Sequence, residues 1–259
     1  MGDRTNYTPG TFSWADLSTT DQDAAKRFYG DLFGWEATDN PVGDGAVYSM
    51  MSIGGKEAAA ISGQPQQQRE AGVPPAWNCY ITVDSADNAL AKAKELGATI
   101  HADAFDVMDV GRMGVVQDPQ GAYFLVWEAK SHIGASIVNA PGAISWNELA
   151  SPDPEASASF YSQLFGWSTE AMEGMDMTYL VVKTAAGTNN GGIRSQMPGE
   201  PPYWLVYFGA EDVEQAGSKI KDLGGDVLAG PMPAGPGTIV ISRDPQGAVF
   251  AVYAGQFED

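Results

Sequence analysis

Two acidic residues each follow a tryptophan by two positions: Asp16 after Trp14, and Glu148 after Trp146, the pairs lying 132 positions apart. In an extended chain, residues two apart share a face, so each carboxylate lies on the same side as its indole. If that side is apolar, burying the charge without a partner is costly and raises the carboxyl pKa. A carboxylate so placed can act as a general base or bind a ligand cation. It can equally be a structural group paired with backbone donors or with an arginine, for which Arg112 and Arg194 are the candidates. Signals for other chemistry are missing. No GxSxG elbow is present, and Gly54-Gly55 and Gly191-Gly192 lack the flanks of a phosphate-binding loop. Cys79, the single cysteine, excludes an internal disulfide and a CxxC metal site, and its strand context predicts a buried, inert thiol. The two histidines, His101 at a strand edge and His132 in a connector, are expected in surface or structural roles.

The elements that must hold the acidic pairs occur twice. Ser13-Trp14-Ala15-Asp16-Leu17 returns as Ser145-Trp146-Asn147-Glu148-Leu149, and Phe28-Tyr29 with Leu32-Phe33-Gly34-Trp35 returns as Phe160-Tyr161 with Leu164-Phe165-Gly166-Trp167. Pro74-Pro75 and Trp77 match Pro201-Pro202 and Trp204; Asp118-Pro119-Gln120-Gly121-Ala122 matches Asp244-Pro245-Gln246-Gly247-Ala248. The offset falls from 132 to 127 to 126, so the second copy is shorter in its loops while its elements keep their order. Within each copy the periodicity gives two βαβββ-type units. A strand is predicted over 12–18, then a helix over 22–33 with Asp21 as N-cap and Gly34 as its stop. Strands 47–53 and 57–61 flank Gly54-Gly55, a hairpin signal. The stretch 62–76 reads as a loop. A second unit follows, with a strand at 77–83, a helix at 86–96 closed by Gly97, and strands near 99–105, 112–117 and 122–128. Copy two repeats this with helices near 153–165 and 212–223, and residues 130–142 connect the copies. The domains are accordingly 1–132 and 133–259. The Asp-Pro-Gln-Gly segments are turn chemistry, proline setting φ and glycine supplying a positive one, and no catalytic role is expected of them.

Composition bounds the rest. With 44% hydrophobic and 18% charged residues the chain is globular. A net charge of −19 argues against nucleic-acid binding and suits either plain solubility or a field that gathers cationic ligands. No segment approaches the roughly 20 apolar residues of a membrane span, and no signal-peptide core is seen, so a cytoplasmic location is expected.

The strand, the helix carrying Phe-Tyr, the Leu-Phe-Gly-Trp after it and the later Asp-Pro-Gln-Gly resemble the vicinal oxygen chelate superfamily, which includes glyoxalase I, extradiol dioxygenases, fosfomycin-inactivating enzymes and bleomycin-resistance binders. More narrowly, the chain resembles two-copy glyoxalase-like proteins of actinobacteria. The resemblance implies an α+β fold of four βαβββ units in two tandem glyoxalase-like domains, with curled mixed sheets around up to two internal cavities. It also implies where a divalent ion would be held: at Trp14 and Asn78 with Leu125 in copy one, at Trp146 and Leu205 with Ala251 in copy two, and within 57–61 and 191–193. Indole, leucine and alanine offer a metal no lone pair, so neither metal nor cofactor is expected.

Strand parity then lines the expected cavities with Tyr123, Leu125, Trp127, Asn78 and Tyr80 in copy one and with Trp146, Tyr207 and Tyr253 in copy two, beside Trp14 and the acids. A planar organic ligand favours such a lining, although these rings could simply fill a collapsed barrel. Arg112 is placed in a loop near the cavity mouth, either meeting an anionic ligand or lying on the surface. Two functions stay open. One is a metal-free binding protein that sequesters or detoxifies an aromatic, cationic or antibiotic-like small molecule. The other is a glyoxalase-like enzyme, or a cofactor-free lyase, isomerase or hydroxylase-type enzyme, using Asp16 or Glu148. Copy two could be a degenerate scaffold, and the chain a monomer or weak homodimer.

Overall fold

Period-two alternation around each acidic residue belongs to a strand at the centre of a curled sheet. The computed structural model describes residues 2–43, 45–174 and 176–257. In chain order the first part contains β1 (Gly2–Asp3), β2 (Phe12–Thr19), α1 (Gln22–Phe33), β3 (Glu36–Gly43), β4 (Ala46–Ile53), β5 (Lys56–Gly63) and α2 (Gln66–Glu70). It continues through β6 (Ala76–Thr82), α3 (Ala86–Glu95), β7 (Thr99–Val107), β8 (Gly111–Gln117) and β9 (Tyr123–Ala129). The second part contains β10 (Ile137–Val138), β11 (Ile144–Ser151), α4 (Pro154–Phe165), β12 (Ser168–Ala171), β13 (Tyr179–Lys183) and β14 (Asn189–Ser195). It closes with β15 (Tyr203–Gly209), α5 (Val213–Asp222), β16 (Asp226–Ala234), β17 (Gly237–Arg243) and β18 (Val249–Ala254).

Copy one forms a mixed sheet in the order β3-β4-β5-β2-β6-β9-β8-β7, and copy two repeats it as β12-β13-β14-β11-β15-β18-β17-β16. The two βαβββ units of each copy meet where their first strands pair antiparallel, β2 on β6 and β11 on β15. The expected α+β architecture is therefore present. β1, within the segment assigned to the first domain, pairs with β10 and so joins the second sheet. Two further departures have simple causes. All residues of β3 are exposed, so no alternation marks it in the sequence. The loop expected over 62–76 holds the one-turn helix α2, which buries no residue and leaves no amphipathic signal.

Local chemistry sets the main helices. Asp21 caps α1 by accepting from the Ala24 N–H, and Gly34, at φ 73°, ends it. Asp153, Pro154 and Gly166 do the same for α4. The buried stripe of α1 is Ala25, Phe28, Tyr29 and Leu32, which packs between the two sheets. The Tyr29 ring lies 5.4 Å from Phe250 of copy two, and Tyr161 of α4 lies 5.4 Å from Phe124 of copy one. The hydroxyls cross as well. Tyr29 donates to Asp244 at 3.0 Å and accepts from Trp77 Nε1 at 2.9 Å; Tyr161 donates to Asp118 at 2.8 Å and accepts from Trp204 Nε1 at 2.9 Å. Each buried bond of this type stabilises by about 1 kcal/mol net, and more is lost when one partner is removed. The other oxygen of each aspartate holds its own turn, accepting from the N–H groups of Gln120 and Ala122, or of Gln246, Gly247 and Ala248.

Candidate functional site

With the helix-bearing faces packed together, the opposite, concave face of copy one carries Trp14 and Asp16 of β2 with Asn78 and Tyr80 of β6. In copy one, strand register sets Asp16 beside Asn78 and Trp14 beside Tyr80, with Leu125 next to Tyr80. Asp16 is 6% exposed and has three neutral donors: Tyr80 Oη at 2.6 Å and Tyr48 Oη at 3.1 Å on one oxygen, Asn78 Nδ2 at 2.8 Å on the other. Tyr48 in turn accepts from Trp14 Nε1 at 2.9 Å. Among the described residues no arginine or lysine bonds this carboxylate. Burial pushes the Asp16 carboxyl above its ordinary range, and the bonds from Tyr80, Asn78 and Tyr48 offset that only in part. The same burial, with the nearby Asp16 charge, holds the Tyr48 and Tyr80 hydroxyls well above the usual phenol range.

Copy two repeats the chain of contacts and then adds a cation. Trp146 Nε1 donates to Tyr179 Oη at 3.1 Å, and burial, with the nearby Glu148 charge, holds the Tyr179 and Tyr207 hydroxyls above the usual phenol range. Arg194 Nε donates to Glu148 at 2.7 Å, while its two terminal nitrogens grip Glu200 at 2.7 Å each. Of the two arginines the sequence offered, Arg194 is therefore the partner. Its counterpart in copy one is Ser62, since Arg194 faces Tyr179 as Ser62 faces Tyr48. Gly192 is needed here, because a Cβ would collide with the Tyr179 hydroxyl.

In copy one Trp14, Tyr80, Leu125 and Trp127 are buried, 5–6% exposed. The connector adds a plug: the His132 ring sits edge-on to Trp14 at 4.8 Å and near Trp127 at 5.9 Å, with its Nε2 3.4 Å from Glu57. The backbone holds it there, through Ala135 N–H to Ser13, Ser136 N–H to Glu57 and Trp127 Nε1 to the His132 carbonyl. Shallow recesses of about 280 and 520 Å³ lie on the outer helices, one lined by Asp87, Leu90 and Ile100, the other by Asp212, Gln215 and Lys219. In copy two Leu205, Tyr207, Ile239 and Ala251 form a separate small core, with Trp146, Tyr203 and Tyr253 half-buried against it.

Two proposed lining residues stand elsewhere. Arg112 is on β8, not in a mouth loop; it pairs across the strand with Glu128 and binds Asp87 of α3 at 2.8 Å and Asp106 at 3.6 Å. Strand parity places Met113, not Arg112, beside Trp127. It is the preceding Gly111 that meets the site, since a Cβ there would enter the Trp127 ring. Tyr123 shares the face of Leu125 but is 47% exposed at its margin, against the His101 ring at 4.8 Å. Tyr48, Tyr179, Glu200 and His132 were not among the candidates. The two tyrosines leave a signal, one at each copy's matching strand, whereas His132 and Glu200 lie in connections without periodicity. Cys79 is 1% exposed, and burial pushes its thiol far above the reactive range.

A divalent ion does not fit these donor sets. The assigned positions carry indole, leucine, alanine and one asparagine, with Asn78 already bonded to Asp16; the stretches 57–61 and 191–193 add small apolar residues, glycine and one carboxylate, Glu57, which lies against His132. Among the described residues no three His, Cys, Asp or Glu side chains come together. No helix among them is long and apolar enough to cross a membrane.

Comparison with known proteins agrees with this architecture. The description "Glyoxalase/Bleomycin resistance protein/Dioxygenase superfamily" matches residues 11–126 and 143–252. The chain is similar to a Mycobacterium bovis protein named "Putative glyoxylase CFP32", at 42% identity over 97% of each chain. It is also similar to "Anthracycline biosynthesis protein DnrV" of Streptomyces peucetius, at 31% identity over 96% of this chain and 94% of that one. Its fold matches the Mn(II)-bound glyoxalase from Novosphingobium aromaticivorans with a TM-score of 0.67 at 19% identity, covering 96% of this chain and 83% of that one. The 2,3-dioxygenase LapB from Pseudomonas sp. KL28 matches with a TM-score of 0.66 at 16% identity, covering 98% and 95%. Matched in both halves and across nearly its whole length, the chain belongs to the glyoxalase/bleomycin resistance protein/dioxygenase superfamily.

Proposed function

We propose that the concave face of copy one binds a planar aromatic small molecule bearing a positive charge, without a metal, and so sequesters it. The observation that carries this reading is Asp16, a buried carboxylate ringed by Trp14, Tyr48 and Tyr80 with neutral donors only. A ligand cation would supply the counter-charge that Arg194 supplies to Glu148, and the rings would add stacking and cation–π attraction. The chain's net charge of −19 draws such molecules in. Entry requires withdrawal of the 130–136 connector, which takes His132 off Trp14 and Trp127 and uncovers both indoles. That a relative at 31% identity is named for anthracycline biosynthesis supports an aromatic ligand class.

The test is titration with 9-aminoacridine, with neutral anthracene-9-methanol as control, followed by tryptophan quenching. Saturable quenching by the cation is expected, weakened at least tenfold in Asp16→Asn, since a hydrogen bond to a charged group contributes roughly 1.5–3 kcal/mol. Equal binding of both compounds, or no effect of Asp16→Asn, overturns the reading.

A second reading rests on its own observation. Asp16 has a raised carboxyl beside two tyrosine hydroxyls, an arrangement able to take a proton from a bound carbon acid and return it elsewhere. The glyoxylase name of the mycobacterial relative points the same way. Mass spectrometry of ligand recovered after incubation separates the two: unchanged ligand supports binding alone, and a product lost in Asp16→Asn supports catalysis.

A further inference from the structure

The carboxylate of Glu200 sits in a complete cradle. Arg194 gives it two parallel N–H bonds of 2.7 Å and the Met197 N–H a third of 2.7 Å. A guanidinium fork is the geometry best matched to a carboxylate. The fork is held in place from behind, since Nε is tied to Glu148 and one terminal nitrogen also donates to the Ser195 carbonyl at 3.1 Å. Under it lies the apolar floor of Leu205, Tyr207, Ile239 and Ala251, with Trp146 and Tyr203 at the rim. Among the described residues, copy one has no arginine at this place, where Ser62 stands.

We propose that the concave face of copy two is a binding site for planar aromatic carboxylates, with Glu200 standing in the carboxylate position until a ligand displaces it. Three observations favour this over a bridge that merely pins a loop. Glu200 is the outermost of the three charges, its side chain 18% exposed against 8% for Arg194 and Glu148, so it can leave without uncovering the pair beneath. It comes from the short connection 196–202, in which Met197 is 56% exposed, so little packing resists its departure. Exchange also conserves charge: one carboxylate leaves the fork as another enters, and Arg194 and Glu148 never lose their balance. A tethered competitor acts at millimolar effective concentration, so ligand affinity in the unaltered protein is held down by the chain itself.

The experiment compares 2-naphthoate with neutral 2-naphthylmethanol on the full chain, by calorimetric titration and by ligand-induced change in Tm. In Glu200→Ala, naphthoate is expected to bind at least tenfold more tightly than in the unaltered protein and to raise Tm, while the alcohol does neither. Glu200→Gln, which keeps the side-chain shape but weakens its hold on Arg194, should fall between. The gain should vanish when Glu148→Gln and Arg194→Met are added, a change that removes both inner charges together. A folded Glu200→Ala that gains nothing for naphthoate, or gains equally for the alcohol, overturns the proposal. If Glu200→Ala does not fold unaided, naphthoate must restore its cooperative melt where the alcohol does not; failure of that rescue overturns the proposal equally.

Discussion

The two concave faces start from one plan and end with different partners for the buried acid. Each has a tryptophan that donates to a tyrosine, and a carboxylate close to that tyrosine and to a second one across the sheet. Copy one stops there, so its acid is solvated by neutral dipoles alone. Copy two replaces a serine with Arg194 and recruits Glu200, so its acid is neutralised by a cation. The strand register is the same in both, so one side chain on one strand decides whether the buried carboxylate has a cationic partner. Asn78 in copy one and Leu205 in copy two complete the contrast, a donor facing Asp16 and a hydrocarbon facing Glu148.

The largest effect should come from removing that one side chain. Arg194→Met leaves Glu148 buried without its cation, and a loss of about 3–5 kcal/mol is expected for stranding a buried charge, read by urea denaturation. Ser62→Ala at the equivalent place should cost under about 0.5 kcal/mol; equal losses would break the comparison. Next come the crossed tyrosines, which are alike in both copies. Tyr29→Phe and Tyr161→Phe each strand an indole N–H and a carboxylate oxygen, so each should cost about 1–3 kcal/mol by the same measurement. A large difference between them would show that the copies are unequal well beyond their concave faces.

Asp16→Asn sharpens the electrostatic side. The folded-state pKa of Asp16 lies above its unfolded value, so the stability it contributes is fully present below the unfolded pKa and is lost as pH rises through the folded one. Asparagine does not titrate, and the tyrosine hydroxyls can turn to accept from its amide. The variant should therefore gain on the parent as pH rises from acid to neutral and hold its lead above the folded pKa, read as the difference in unfolding free energy across pH. A variant that instead loses ground as pH rises would mean that Asp16 is stabilised as a charge. Smallest of all, Tyr123→Ala at the exposed margin should change stability by no more than about 0.5 kcal/mol in a thermal melt.

Much of this was legible in the chain. Repeated Trp-x-acid, Phe-Tyr and Asp-Pro-Gln-Gly motifs marked two copies, and the two-residue spacing put each carboxylate on its tryptophan's face, as found. The choice of Arg194 over Arg112 was not legible, because it rests on the pairing of Gly192 with Glu148 across two strands, which parity alone does not give. What stayed hidden depends on contacts between distant segments. Tyr29 and Asp244 are 215 positions apart, so the turn was readable but not the bond its second oxygen makes. His132 lies in a connector, where no periodicity says which way a ring points. How closely Trp14, Trp127 and the His132 ring pack together is likewise something that spacing does not encode.

The crossed Tyr–Asp bonds have a consequence for how the two faces could diverge. Each half offers the other the same contact, the arrangement that two identical subunits would use around a twofold axis. Joined in one polypeptide, the halves meet at a local concentration fixed by the connector instead of by expression level. A change in one half is then no longer copied into the other, so the shared seam can be kept while each outer surface takes up its own ligand chemistry.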